Sequence, residues 1–295
     1  MTRGALLYAL IALMIFGWSG NYVAGKIALR EFPPLLLTSW RALFAGALIL
    51  PAWWWERRRG GGRWTWREAP ALLALGLLGV TLNQTLFVFG LSRTSVAHAA
   101  IFANLTPITV LLLSAAGGLE RFTAGKLGGM AVALGGVALL KTLEPHARNA
   151  PQASLAGDLL IFAGGLAFAL FTVFGKPVTK RHSAITVNTF AYVAGALVMA
   201  PVAAWQSARF PMASITPKAW GALLFMALFS SVISYLIYYW ALGRMAPSQI
   251  SKFSYFQPPA ATALGVIVLG EQVTWALAVS AAVIFAGVFL TERAR

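Results

Sequence analysis

The stretch SKFSYFQPP, residues 251–259, places an amine, two hydroxyls, a phenol and an amide inside a long apolar run. Ser248, Ser251, Lys252 and Tyr255 recur at helical spacing and so share one face. Polar and ionisable groups within a membrane span face the bundle interior or a watery cavity, and are functional candidates by default. A lysine there can offer charge or a hydrogen bond to a solute. Lys252 also lies only about one turn, roughly 5 Å, into its helix, so its amine could instead snorkel to the interface. Upstream, SYLIYYWAL sets Tyr235 and Tyr239 four residues apart, on a face that could stack against an aromatic ligand. Trp240 reads as an interfacial anchor. Asn83 and Gln84 sit in GVTLNQTLFVFG, where an amide either bridges helices or binds ligand. His98 either relays protons or is a satisfied structural histidine. Trp18, Asn21 and Tyr22 share a face of the first apolar segment, and Arg41 lies inside the second. The arginine suits packing, an ion pair or a substrate contact. The candidate binding set is Lys252, Ser251, Tyr255, Asn83, Tyr235, Tyr239, His98, Trp18 and Asn21.

Other chemistries find little support. Cysteine is absent and the three histidines are scattered, so no metal set is expected. The Gly-Lys pairs at 25–26, 125–126 and 175–176 lack the spacing of a phosphate loop, and no cofactor or ATP-driven motor is called for. A membrane enzyme would need a nucleophile or an acid–base pair, and no such constellation is visible. The eight acids all fall at helix ends or in loops, so proton coupling through a buried carboxylate is disfavoured. A solute equilibrating down its own gradient fits better. An integral-membrane enzyme, or a carrier of nucleosides, sugars or drugs, remains the alternative reading.

The elements that must position these residues are transmembrane helices. The chain has 295 residues, of which 59% are hydrophobic and 11% charged, with a mean hydropathy of +0.75. Soluble domains carry about 25% charged residues. Apolar runs long enough to cross a bilayer recur near 4–29, 34–55, 68–91, 95–117, 123–141, 155–179, 184–207, 217–242, 247–269 and 273–291. The fold class is an all-α polytopic membrane protein of about ten helices. The first run is too long for a signal peptide and reads as an uncleaved helix. The net charge of +15 belongs to loops that flank membrane helices, not to a nucleic-acid surface. With alternating loops, fourteen basic residues fall on one side, ERRRGGGRWTWR among them, and seven on the other. The richer side is cytoplasmic by the positive-inside rule, so both termini are expected there. Partners are a small-molecule substrate and the lipid bilayer. The glycines of GGMAVALGG serve either internal packing or an oligomer face, and the oligomeric state is open.

The chain also repeats itself. Arg93 pairs with Arg244, Pro107 with Pro258 and Glu120 with Glu271, each 151 positions apart. Gly25-Lys26 pairs with Gly175-Lys176, and Pro51 with Pro201, at 150. The halves are 1–145 and 155–295, joined by a linker at 146–154. Five spans per half is an odd number, so the second copy starts on the opposite side of the membrane. That gives an inverted repeat, an architecture of secondary transporters that puts the solute at the midplane between repeats. In this register Lys252 corresponds to Ile101, Tyr255 to Asn104 and Gln257 to Thr106.

WSGNYVAGKIAL followed by FPP and WRALFAG resembles the first two helices of the drug/metabolite transporter superfamily, EamA type. LTPITVLLLSAAGGLE and FQPPAATALGVIVLGE resemble its doubled signature. The resemblance spans nearly the whole chain. It implies a ten-helix secondary transporter of small metabolites working by alternating access, in a bacterial inner membrane. It further implies an exporter like the YddG-like amino-acid exporters, with aromatic or other apolar substrates. Arg41 matches the family's arginine in the second helix, and Glu120 and Glu271 match its helix-junction acids, for which helix capping is a sufficient role.

Overall fold

A computed structural model describes residues 3–62, 64–118, 123–143, 154–245, 247, 250 and 252–293. Every regular element among them is helical. Ten apolar segments follow in order: α1 Arg3–Ala28, α2 Pro34–Arg58, α3 Ala69–Leu91, α4 Val96–Ala116, α5 Ala124–Leu143, α6 Leu155–Arg181, α7 Ala184–Ser207, α8 Pro217–Arg244, α9 Gln257–Leu269 and α10 Trp275–Arg293. Seven are long and apolar enough to cross a bilayer by length and composition, while α5, α9 and α10 carry shorter apolar stretches. The protein is an all-helical, integral membrane protein. The linker residues 146–153 lie outside the described residues.

Side chains at the ends explain where the helices start. Ser95, Ser154, Ser183 and Thr216 each accept a hydrogen bond from the backbone N–H three residues on, at 3.1, 3.0, 3.0 and 3.4 Å. Such a cap stabilises a helix by about 1 kcal/mol. Pro34 opens α2, where its missing N–H leaves no gap in the ladder.

Four segments depart from a plain α-helix. A π-helical turn interrupts α3 at Leu77–Leu82 and α8 at Met226–Ile233. The α4 ladder breaks at Asn104 and Leu105, just ahead of Pro107. The 3₁₀ turn Lys252–Phe256 leads into α9, ahead of Pro258 and Pro259. Proline supplies no N–H and disfavours the α conformation in the residue before it. The expectation of one continuous α-helical face through Ser248, Ser251, Lys252 and Tyr255 is corrected by that 3₁₀ turn.

Helices at equivalent positions of the two halves pack on each other, α2 on α7 and α5 on α10. Small residues permit the close approach. A Cβ at Gly129 would stand 2.3 Å from the Thr291 nitrogen, and one at Gly136 2.7 Å from Ile284. Half of GGMAVALGG is thereby assigned to internal packing against α10, while Gly128 and Gly135 meet nothing within 4 Å.

The carboxylates form a second set of ties. Glu31 accepts from the Thr216 N–H and hydroxyl at 2.6 and 2.8 Å. Glu56 accepts from the Ser183 and Thr186 hydroxyls at 2.9 and 3.3 Å. Glu68 stands 3.3 Å from His182. Asp158 accepts from the Thr94 hydroxyl at 2.8 Å and lies 3.6 Å from His98. Glu271 accepts from the N–H groups of Val96 and Ala97 at 2.9 and 3.3 Å. Each of these acids joins the first half of the chain to the second. Glu271 caps a helix, as its place at a helix junction suggested, and that helix is α4; Gly270 just before it has φ 70°. One sequence expectation changes here. Asp158 sits at a helix end as expected, yet its side chain is fully buried. Glu120 lies outside the described residues.

Candidate functional site

The broken segments meet at an internal cavity. Its wall takes Trp18, Asn21 and Tyr22 from α1, Arg41 from α2, and Asn83, Gln84 and Phe87 from α3. It continues with Asn104 and Thr106 at the break in α4, Gly165 and Phe168 from α6, Tyr235 from α8, and Ser254, Gln257 and Pro258 at the start of α9. The cavity has a volume of about 100 Å³. One water needs roughly 10–15 Å³, so the space admits a small solute.

Aromatic rings form one side. Trp18 meets Phe168 at 5.8 Å and Tyr235 at 5.7 Å, both edge to face. Tyr22 meets Phe87 at 5.1 Å. The π-helical turn of α8 helps to fix the indole. Each π turn leaves one carbonyl without its usual partner, and the Trp18 Nε1 donates to the Ser230 carbonyl at 3.2 Å.

The polar groups divide into those held by neighbours and those left open. Asn83 donates from Nδ2 to the Gly164 carbonyl at 2.8 Å and accepts at Oδ1 from the Tyr235 hydroxyl at 3.2 Å. Both ends of that amide bind helices together, so it shapes the wall rather than reaching out. Gln84 donates to the Tyr192 hydroxyl. Asn21 Oδ1, both amide atoms of Asn104, and Arg41 Nη1 are buried without a hydrogen-bond partner. Buried polar atoms in native structures nearly always have a partner. Four such atoms from three side chains around one cavity therefore describe a place for a polar ligand.

Of the residues proposed from sequence, Trp18, Asn21, Asn83 and Tyr235 line this cavity. Tyr239 does not: it is buried one layer out, packed on Phe171 at 5.2 Å and Tyr235 at 5.6 Å. His98 is also outside the wall, fully buried beside Asp158. Ser251, and the side chains of Lys252 and Tyr255, lie outside what is described. Arg41, Gln84, Asn104, Thr106, Phe168 and Gln257 were not in the proposed set. Thr106 and Gln257 could have been found, because they are repeat equivalents beside the paired prolines.

The chain is similar to named proteins over nearly its full length. An "Uncharacterized transporter" of Archaeoglobus fulgidus is 27% identical over 289 residues, covering 96% of each chain. The "Uncharacterized transporter YetK" of Bacillus subtilis is 25% identical, covering 98% of this chain and 86% of its own. A "Probable terminal-alkyne amino-acid exporter" of Streptantibioticus cattleyicolor is 26% identical over 227 residues, covering 77% and 74%. A crystal structure at 22% identity covers 97% of this chain and 96% of its own with a TM-score of 0.69, which speaks for the fold. The model of the EamA-like transporter family matches twice, at residues 4–142 and 155–293. Two matched segments, ten apolar helices and a central polar cavity agree, and the chain belongs to the EamA-like transporter family.

Proposed function

We propose that this protein is a secondary transporter of small metabolites, namely amino acids with aromatic or other apolar side chains. It moves them across a bacterial inner membrane by alternating access, in the export direction, and is not an enzyme. The halves 1–145 and 155–295 form an inverted pair that rocks about the cavity, with both termini cytoplasmic. The observation carrying this reading is the cavity where the α4 break and the 3₁₀ turn before α9 come together. Interrupted helices at equivalent positions of two repeats are where secondary transporters place the solute. The aromatic side, with Trp18, Phe168 and Tyr235, suits an apolar side chain, and the open amides of Asn21 and Asn104 suit a polar backbone. The printed name of the Streptantibioticus relative supports the amino-acid class. In this reading Lys252, Ser251 and Tyr255 complete the wall from the α9 side, and Tyr239 and His98 support it from behind.

The test is uptake of radiolabelled solutes into proteoliposomes, screened over amino acids, nucleosides and sugars. Saturable uptake of apolar amino acids is expected. Uptake confined to nucleosides or sugars would overturn the substrate class while leaving the carrier. Lys252→Met keeps an apolar stem and is expected to slow uptake at unchanged thermal stability. Unaltered kinetics would make that lysine an interfacial anchor.

A further inference from the structure

Arg41 is the only charged residue among the described side chains that line the cavity. It is 2% exposed. Its Nε donates to the Ser231 hydroxyl at 3.0 Å, and its Nη1 is buried with no partner. No described carboxylate forms an ion pair with it: the acids described with partners are Glu31, Glu56, Glu68, Asp158 and Glu271, all engaged at helix ends. A guanidinium keeps its charge under all ordinary conditions and offers planar, paired donors that match a carboxylate. A buried charge is strongly unfavourable unless an opposite charge and hydrogen bonds compensate it. The remaining surroundings are neutral: the phenols of Tyr192 and Tyr235, the Ser231 hydroxyl and the Gln84 amide.

We propose that Arg41 is the anion-binding residue of the cavity, and that the transported solute carries a carboxylate received by its free Nη1. This rests on the reading of the cavity as the solute site. It deepens that reading by assigning ends to the ligand. The carboxylate lies at Arg41 on α2. Asn21 Oδ1 and Asn104 Oδ1 are open acceptors and take an ammonium or other donor. The rings of Trp18 and Phe168 take the apolar part. The solute charge then substitutes for the counter-ion that none of the described carboxylates provides. A solute without the carboxylate would leave the guanidinium uncompensated in its buried position, so amines and amides of the same shape are rejected.

Two matched pairs of probes test this on the full-length protein. The first is L-phenylalanine against L-phenylalaninamide. The second, which lacks the ammonium, is 3-phenylpropionate against 3-phenylpropanamide. Competition for uptake in proteoliposomes and the shift in melting temperature of the purified protein are both read. The acid of each pair is expected to act at least tenfold more strongly than its amide. Arg41→Gln should bring the acid down to the level of the amide, and Arg41→Lys should retain part of the preference. An equal response to acid and amide in both pairs overturns the proposal, as does a preference that survives in Arg41→Gln. Should Arg41→Gln fail to fold, the wild-type pairs decide alone. A preference for 3-phenylpropionate without any response to phenylalanine would uphold the anion site and defeat the amino-acid reading. Saturable uptake of phenylalanine with no acid preference in either pair would defeat the anion site and leave the amino-acid reading standing.

Discussion

Trp18 and Phe168 stand one repeat length apart, 150 positions, and meet edge to face at 5.8 Å in the cavity wall. Residues touch their own counterparts only close to the axis that relates two copies. The contact is what the proposed two-fold would produce at the cavity. Such a ring pair contributes about 0.5–1.5 kcal/mol beyond the area it buries. In a double-mutant cycle with Trp18→Leu and Phe168→Leu, coupling of about 1 kcal/mol in stability is expected. Additive effects would mean that the rings are neighbours without mutual support.

Orientation is open to direct labelling, because the chain has no cysteine. Asn149→Cys should react with an impermeant maleimide in intact cells. Gly60→Cys, in the arginine-rich loop, should react only after lysis. The opposite pattern would invert the topology, and labelling of both in intact cells would defeat the odd number of spans per half.

The buried pair of His98 and Asp158 lies outside the cavity wall, which separates it from the solute. Asp158→Ala removes the bond from Thr94 and should lower stability by about 2 kcal/mol, measured by thermal melting. Transport in liposomes should persist with proton and sodium gradients at zero, in wild type and in His98→Asn. Strict dependence on an imposed pH gradient would make the pair a coupling site.

Glu31 gives a pH signature at one face. The backbone N–H of Thr216, and then its hydroxyl, hold the Glu31 carboxyl below its ordinary range. A carboxyl depressed in the folded state contributes stability above its unfolded pKa, about 4.3 for glutamate. That contribution fades as pH falls through the folded value. Glu31→Gln should melt below wild type at pH 7, and the two curves should converge towards pH 3. Parallel curves over that range would show that the contact contributes nothing.

The spans were legible in the sequence, since runs of apolar residues bounded by Ser, Thr and Pro leave few other structures. Most ends differ by little, as α2 was expected at 34–55 and runs to Arg58, whereas the ninth span was expected from 247 and its α-helix starts at Gln257, after the 3₁₀ turn. Which face of each helix turns inward was less legible. A helix with lipid on one side and protein on the other is apolar all round, so its periodicity marks no inner face. Asn83 illustrates this, because its two bonds to Gly164 and Tyr235 join residues 81 and 152 positions away. Arg41 was visible as a charge within a span. Its open nitrogen became apparent only once Ser231, 190 positions on, proved to hold the other side. Asp158 was read as a helix-end acid and not as a buried one, because burial at a helix end depends on what packs over it, here Thr94 and His98.

The five acids that cross between the halves all sit where helices begin or end, and the cavity occupies the level between them. The molecule is thus fastened at its two rims and open at its waist. If the halves rock, each position keeps one rim closed, and the balance between positions follows the difference in strength between rims. Losing one would shift occupancy towards the opposite position, and apparent affinity scales with the fraction that is competent to bind. A neutral substitution at a helix end, such as Glu56→Gln in the last turn of α2, would then alter how tightly solute is held from one side of the membrane while leaving every residue that touches it in place.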